Sequence, residues 1–433
     1  MLSTEEIILL FLSPIHTHFP QLFLHREWSR KKAMPAVEKS CSSNPQPLLL
    51  LLIYIIYSYK SYTHDMKFSC TQENLARGLS VVTHVAGKNV NLPVLSNVLI
   101  KAEGGVIRLL TTNLEIAVNT LIRGKVEKEG QFTVQAKLLG DYVTLLPKER
   151  VDVELRDKEL YISCGSQHTS LRGSSAEEFP LVPEFEKKGK YVVGAIEFKI
   201  ALSQSLFAVA TDETRPEISG LLFRFSDKDL VLVGTDSYRL AERRLGLQLS
   251  AGTHEVIVPY RSLAEIARII VEDEETVAIY WSENQLMFVC GETELTTRVI
   301  EGHYPDYQQI IPKNHHTRGV VDVEEFMNLV KTAGLFSRSG VHDIRLEFYP
   351  AKKEIVIQSQ NSQVGENRSV LKSEDLSGTE NTITFNYRYL VEGLSSMRSD
   401  KVALELIDDA NPGVVRPLEK EKEYLYMVMP IKQ

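Results

Sequence analysis

From position 66 onward, the pattern of apolar and polar positions repeats about every sixty residues. Six times a short apolar run typical of a β-strand leads into a stretch whose apolar residues recur at i, i+3, i+4 and i+7, as on a helix with one buried face. The six units begin near Phe68, Phe132, Tyr191, His254, Arg318 and Ile383. The steps between these starts are 64, 59, 63, 64 and 65 residues. Such a constant spacing indicates an internal repeat.

Each predicted helix has one apolar stripe. The six stripes are Leu75, Leu79 and Val82; Leu138, Leu139, Tyr142, Val143 and Leu146; Phe198, Ala201, Leu202 and Val209; Leu263, Ile266, Ala267 and Ile270; Phe326, Leu329, Val330 and Ala333; and Tyr387, Leu390, Val391 and Leu394. Alternating segments with a polar centre, at 151–163, 277–289 and 346–359, predict β-hairpins. The chain is therefore expected to be α+β with antiparallel sheets, and the strands of one repeat must pair with those of the next.

Charged segments poor in apolar residues separate every second repeat. They lie at 182–190, after Phe179-Pro180, and at 312–318, after Tyr304-Pro305. We interpret both as linkers. The predicted organisation is three structurally similar domains of two helices each, at 66–184, 189–311 and 314–433.

Residues 1–65 show neither the apolar spacing of a helix nor the alternation of a strand. The ten-residue apolar run Leu48–Tyr57 is too short to span a bilayer, which takes about 20 residues. Basic residues precede the run, but no small-residue cleavage site follows it. Two interpretations stay open: a leader of doubtful structure, with the working protein beginning at Met66, or a peripheral membrane anchor.

Charge and cysteine content narrow the class of protein. The chain has 49 Lys and Arg against 57 Asp and Glu, a net charge of −8 over 433 residues. An acidic balance argues against a protein that coats nucleic acid with its whole surface, although a local basic face remains compatible with it. Cys41, Cys70, Cys164 and Cys290 are far apart, which excludes a disulfide framework and the usual zinc modules and fits a cytoplasmic location.

Motifs for catalysis are missing from the sequence. Gly87-Lys88 is followed by Asn89 where a phosphate-binding loop needs Ser or Thr, and neither G-x-S-x-G nor H-E-x-x-H occurs. His315-His316 lies in a linker, where a solvated pair is expected. A non-enzymatic protein without metal or other cofactor is predicted; an enzyme whose acidic site is assembled only by the fold is the open alternative.

The predicted helices also carry basic residues outside their apolar stripes. These are Arg77, Lys137, Lys199, Arg268, Lys331, Arg388 and Arg398. If the six helices share one concave face, their charges add into a positive field within an acidic shell. Such a face would contact the phosphates of DNA and carry no sequence information.

Residues 66–433 resemble one known family, the DNA polymerase III β sliding clamps. The resemblance is carried by motifs in the same order: Met66-Lys67-Phe68, Leu92–Leu95 with Ser96–Leu99, Gly234–Ala241, Tyr304–Tyr307, Asn411–Pro417 and Met427–Ile431. It implies a non-catalytic processivity factor: a head-to-tail homodimer closed into a ring around duplex DNA, with each chain forming half. The implied dimer seam joins Leu171 to Leu335 and Phe336. A membrane-attached interaction protein using the N-terminal apolar run is the alternative.

The resemblance further implies a pocket between the second and third domains for short peptide motifs of the polymerase catalytic subunit, the clamp loader and other polymerases or repair proteins. Its implied members are Ile218, Thr235, Ser237, Tyr238, Arg239, Leu240, Pro305, Gln309, Ile310, Val341, Val428, Met429, Pro430 and Ile431. Aliphatic, Met and Pro side chains suit an adaptable apolar cleft, and Arg239 can offer its guanidinium to a polar end of the peptide. Gln309 stands where Arg is common in the family, and the chain ends Lys432-Gln433 where Arg-Leu is frequent.

Overall fold

The computed structural model describes residues 66–87, 92–182, 185–212, 214–419 and 423–432. The apolar run Leu48–Tyr57 lies outside them, so the leader and the membrane anchor both stay predictions. In the part of the chain that is described, no helix has both the length and the apolar character needed to cross a membrane.

The first domain contains two repeats of one pattern, in which a strand leads into a helix and three strands follow. Its elements are β1 (Lys67–Thr71), α1 (Gln72–Val82), β2 (Asn97–Glu103), β3 (Val106–Thr112), β4 (Ile116–Ile122), β5 (Gly124–Lys128), β6 (Gly130–Gln135), α2 (Ala136–Leu145), β7 (Arg150–Arg156), β8 (Glu159–Cys164) and β9 (Gln167–Ser175). The short strand β5 is an addition that pairs with β1.

The second domain repeats the pattern without additions. Its elements are β10 (Gly189–Gly194), α3 (Ala195–Leu206), β11 (Gly220–Phe225), β12 (Asp229–Thr235), β13 (Arg239–Gly246), β14 (His254–Pro259), α4 (Tyr260–Ile269), β15 (Thr276–Trp281), β16 (Gln285–Cys290) and β17 (Thr293–Arg298).

The third domain follows the same order with one short extra strand, β22. Its elements are β18 (Thr317–Asp322), α5 (Val323–Gly334), β19 (Asp343–Tyr349), β20 (Glu354–Asn361), β21 (Gly365–Lys372), β22 (Leu376–Gly378), β23 (Asn381–Asn386), α6 (Tyr387–Ser396), β24 (Lys401–Leu406), β25 (Gly413–Pro417) and β26 (Tyr424–Val428).

The predicted α+β class is confirmed, and strand pairings in the described ranges are antiparallel. Two details of the sequence interpretation are wrong. Leu138 is half exposed, because Ala136, Leu139 and Val143 supply the buried stripe of α2. Both predicted linkers are too long, since β10 begins at Gly189 and β18 at Thr317; the polar residues there alternate with buried ones along a strand.

The sheets run across the domain boundaries. β4 pairs with β17 from Thr120↔Thr293 to Ile116↔Thr297, which joins the first and second domains. β13 pairs with β26 from Arg239↔Val428 to Arg243↔Tyr424, which joins the second and third. Backbone hydrogen bonds therefore cross both boundaries in regular register, which restrains the angles between the domains.

The six described helices form one continuous row in the order α2, α1, α4, α3, α6, α5. Within each domain the two helices pack against each other, and α3 contacts α6 across a boundary. At the other boundary the Arg268 guanidinium, on α4, donates to the carbonyl oxygens of Ser80 (3.1 Å) and Val81 (2.6 Å) in the last turn of α1. Apart from Leu138, the residues of the helix stripes pack into the cores between helices and sheets. The opposite faces of the helices thus form one surface.

Candidate functional site

The turn between β12 and β13 presents its central side chain to solvent. Its Asp236 carboxylate accepts the N–H groups of Tyr238 (2.9 Å) and Arg239 (3.0 Å), and the Thr235 hydroxyl donates to the Arg239 carbonyl (2.7 Å). Ser237 adopts the left-handed conformation, with φ +76°. These local bonds fix the turn and leave Tyr238 63% exposed.

The C-terminal segment, residues 429–432, lies beside the Tyr238 turn and forms the second wall of a cleft between them. Beyond β26, the Met429 N–H donates to the Tyr238 carbonyl (2.8 Å), and the Ile431 N–H donates to the Thr384 carbonyl of the third domain (2.8 Å). Val428 is buried, whereas Met429, Pro430 and Ile431 are partly accessible. The segment is therefore held to both domains and leaves an apolar edge at their boundary.

Arg239 is almost buried, and its guanidinium is hydrogen-bonded to two carboxylates of the same chain. Its Nε donates to Asp236 Oδ2 (2.9 Å), and its Nη1 is hydrogen-bonded to Glu392 on α6. Its guanidinium carbon lies 4.7 Å from the Tyr389 ring centroid and 5.4 Å from that of Phe207. Burial lowers the pKa of Arg239, but the hydrogen bond to Glu392 and the nearby charge of Asp236 outweigh it, so the pKa is raised. The guanidinium expected to meet a peptide is thus already bound.

Three side chains of this site were not anticipated from the sequence: Phe207, Tyr389 and Glu392. Tyr389 stacks on Tyr238 with ring centroids 6.5 Å apart and planes at 22°. The i, i+3 spacing of Tyr389 and Glu392 places them on one face of α6. That spacing is the local signal, but only the fold shows which residue the pair meets.

The other implied pocket residues fall into three groups. Leu240 and Ile218 are buried, whereas Pro305, Gln309 and Ile310 are exposed on the segment that follows β17, where Gln309 Nε2 donates to Asp306 Oδ2 (2.7 Å). Val341 and Ile431 line one groove of about 790 Å³ on the third domain, together with Arg338 and Arg345. Because Ile431 and Lys432 line it, this groove adjoins the C-terminal segment.

The residues implied in a dimer seam lie beside strands that pair on one side. β21 pairs with β20, and residues 167–172 of β9 pair with β8; among the described strands, no partner is found on the other side. Leu335 is 74% exposed, Phe336 approaches Gly365 at the start of β21, and Leu171 of β9 is partly buried.

The seven basic helix residues separate into two kinds. Lys199 Nζ donates to the Ile270 carbonyl at the end of α4 (2.7 Å), and Arg268 binds the end of α1 and Glu265, so both stabilise helix ends. Five are exposed on the helix row or directly after it: Arg77, Lys137, Lys331, Arg388 and Arg398. These five carry charge that an external anion can reach.

Features of an enzyme site are sparse. Over the ranges described by the structure, no group of three or more His, Cys, Asp or Glu could hold a metal ion. Burial raises the pKa of the Cys70 thiol to about 12 and that of Cys290 to about 11, which makes both poor nucleophiles.

Comparison with known proteins agrees with this architecture. Three family models match: the DNA polymerase III beta subunit N-terminal domain at residues 66–183, its central domain at 193–306 and its C-terminal domain at 308–432. The beta sliding clamp of Synechococcus elongatus is 31% identical over 374 residues, which is 85% of this chain and 99% of that protein. The beta sliding clamp of Staphylococcus aureus is 25% identical over 378 residues, with the same coverage.

Solved structures give the same result. The sliding clamp of Pseudomonas aeruginosa, crystallised with griselimycin, matches with a TM-score of 0.81 and 27% identity over 85% of this chain and 100% of that one. The sliding clamp of Bacillus subtilis has the same fold, with a TM-score of 0.81 and 24% identity over 85% and 99% of the two chains. The chain therefore belongs to the DNA polymerase III beta subunit family, the sliding clamps that act as non-catalytic processivity factors of that polymerase.

Proposed function

We propose that two copies of this chain join head to tail into a ring that encircles duplex DNA. The observation that carries the proposal is the single row of helices backed by sheets, with incompletely paired strands in the first and the third domain. Edge strands with free hydrogen-bonding groups favour pairing with another chain. In a dimer, β9 of each chain would pair with β21 of the other. The two identical contacts would close the ring.

Exposed helix cations suit the inside of this ring. Residues 66–433 hold 43 Lys and Arg against 52 Asp and Glu, so the surface as a whole repels DNA. The reachable charges of Arg77, Lys331 and Arg388 lie on the helix row. Phosphate contacts from that row would be independent of sequence and weak enough to permit sliding, since topology retains the ring.

Retention on closed and open DNA tests the ring directly. We expect the loaded protein to stay on a circular duplex and to leave a linear duplex of the same sequence from its ends, over a range of salt concentrations. Blocking both ends of the linear duplex with bound protein is expected to restore retention. Equal loss from circular and unblocked linear DNA contradicts the ring.

We infer that the cleft formed by Tyr238, Tyr389 and the C-terminal segment binds short peptide motifs of the polymerase and the clamp loader. The exposed Tyr238 ring and the apolar edge at Met429 and Pro430 support an apolar anchor site. Deleting Met429–Gln433 is expected to weaken the binding of a polymerase-derived peptide while the dimer persists, because β26 ends at Val428. Unchanged peptide affinity after the deletion contradicts this assignment. Among the residues that the structure describes, no observation favours the membrane alternative.

A further inference from the structure

The internal repeat places a second copy of the Tyr238 turn at the boundary between the first and second domains. Between β3 and β4, the Asn113 carboxamide oxygen accepts the N–H groups of Glu115 (3.0 Å) and Ile116 (2.8 Å), and the Thr112 hydroxyl donates to the Ile116 carbonyl (2.9 Å). Leu114 has φ +78°, against +76° for Ser237. The turn at Leu114 therefore has the same side-chain-to-backbone hydrogen bonds as the turn that presents Tyr238.

The segment beside the turn is repeated as well: the end of β17 corresponds to the end of β26. β17 pairs with β4 so that Thr297 faces Ile116, just as Val428 faces Arg239. Directly after, the Arg298 N–H donates to the Glu115 carbonyl (3.1 Å), the counterpart of the bond from Met429 to Tyr238 (2.8 Å). Glu115 therefore stands in the place of Tyr238, and Arg298 in the place of Met429.

Two grooves flank this second turn. One, of about 390 Å³, is lined by Leu114, Pro180 and Leu181, and Phe179-Pro180 occupies the position that Tyr304-Pro305 has in the next domain. The other, of about 650 Å³, is lined by Tyr260 and Ile300. Leu181 is 96% exposed and Leu114 48% exposed. Holding Leu114 at positive φ with its side chain in solvent lowers the stability of the fold. Such strained residues cluster at binding sites, so this one is consistent with a binding role.

The charges at this cleft differ from those at the cleft of Tyr238. Ile116 is buried where Arg239 stands, so the turn itself places no cation in the floor of this cleft. Arg298 is exposed at the rim, and no carboxylate of the described residues lies within 4.0 Å of its guanidinium. Both grooves share Arg298 and Glu115. A ligand that spans the two grooves passes beside the Arg298 guanidinium. The larger groove is also lined by Arg261, against the single carboxylate of Glu115, and this balance of charge favours a carboxylate on the ligand.

We propose that this boundary is a second docking site, which takes a short extended peptide segment of a partner protein. The peptide carries an aliphatic side chain that occupies the groove of Leu114 and Leu181, followed within two or three residues by an Asp or Glu that binds Arg298. This inference rests on the proposed function, because it assumes that the corresponding cleft at Tyr238 binds peptides. The second site selects a peptide with an acidic residue beside its aliphatic anchor, whereas at the first cleft the Arg239 guanidinium is already bound to Asp236 and Glu392.

A peptide library tests the second site on the full-length protein. The probe is a synthetic mixture of acetylated octapeptides with Leu fixed at position 4 and Asp at position 6, the remaining positions randomised. Tyr238→Asp, at an exposed position, removes the first cleft. Peptides retained by this variant are then measured by fluorescence anisotropy against Tyr238→Asp combined with Leu181→Asp or with Arg298→Glu. Both additional changes lie on exposed side chains, so the fold is expected to persist, as circular dichroism would verify.

We expect each additional change to weaken the retained peptides at least tenfold. Replacing the peptide Asp by Lys is expected to restore binding to the Arg298→Glu variant, which a merely structural role of Arg298 would not do. If the wild-type protein retains peptides and Tyr238→Asp retains none, the first cleft stands and the second is overturned. Retained peptides that are indifferent to Leu181 and Arg298 overturn it as well. A wild-type protein that retains none of these peptides overturns the second site, whereas the first cleft is tested separately with the polymerase-derived peptide.

Discussion

The guanidinium of Arg239, on a strand of the second domain, is hydrogen-bonded to the carboxylate of Glu392, on a helix of the third domain, 153 residues away. The same guanidinium contacts the rings of Tyr389 and Phe207. A second ion pair, between Arg243 and Glu423 (2.8 Å), crosses the same boundary. Arg239, a cation of the proposed peptide cleft, therefore also stabilises the junction of the two domains.

Replacing the two partners is expected to have unequal effects. Arg239→Ala should lower the free energy of unfolding by about 3 kcal/mol, because it leaves Asp236 largely buried without its partner and removes the packing against two rings. Glu392→Gln should cost less than about 1 kcal/mol, since Glu392 is half exposed and Asp236 still holds the guanidinium. Urea unfolding of the two variants and the wild type measures both values. Equal losses would show that Glu392 carries the interaction.

Leu335 should control dimerisation. Leu335→Asp is expected to shift the protein from dimer to monomer in sedimentation velocity, because it places a charge in the proposed apolar seam. Leu249→Asp is the matched control, since Leu249 is also exposed (48%) but lies in the second domain, which contributes no strand to the proposed seam. A Leu335→Asp protein that remains dimeric would place the seam elsewhere.

The exposed helix cations should set the salt dependence of DNA binding. Combining Arg77→Gln, Lys331→Gln and Arg388→Gln is expected to flatten the plot of log affinity for a short duplex against log salt, by about 0.9 for each DNA phosphate that is no longer neutralised. The control combines Lys158→Gln, Lys228→Gln and Lys352→Gln, which are exposed outside the helix row. A control that changes the slope as much as the helix variant contradicts a DNA-facing helix row.

His254 should make stability depend on pH. The imidazole stacks on Trp281 with centroids 4.6 Å apart, and burial lowers its pKa below the usual value. A folded-state pKa below the unfolded one gives a contribution that is present above about pH 6.5 and is lost as the pH falls toward the folded-state pKa. His254→Phe keeps the stack without titrating. Its melting temperature is therefore expected to fall less than that of the wild type between pH 7.5 and pH 5; an identical fall would contradict the assignment.

The repeat, the α+β class and the position of each helix could all be predicted from the order of residues alone. Residues such as Leu75 and Leu79, or Phe326 and Val330, reveal a helix because their spacing matches its pitch, and this signal is local. The motifs around Arg239 and Asn411 likewise sufficed to indicate the family, because they are contiguous in the chain.

Interactions between distant segments emerged only with the folded chain. Local spacing contains no information that Glu392 binds Arg239, or that Arg268 binds the end of a helix 187 residues away. The second turn was hidden for a different reason. Thr112–Ala117 and Thr235–Leu240 share few residue types, because their hydrogen bonds use the backbone and one Thr and one Asn or Asp. A shared backbone geometry with different exposed side chains can be recognised only when the chain is folded.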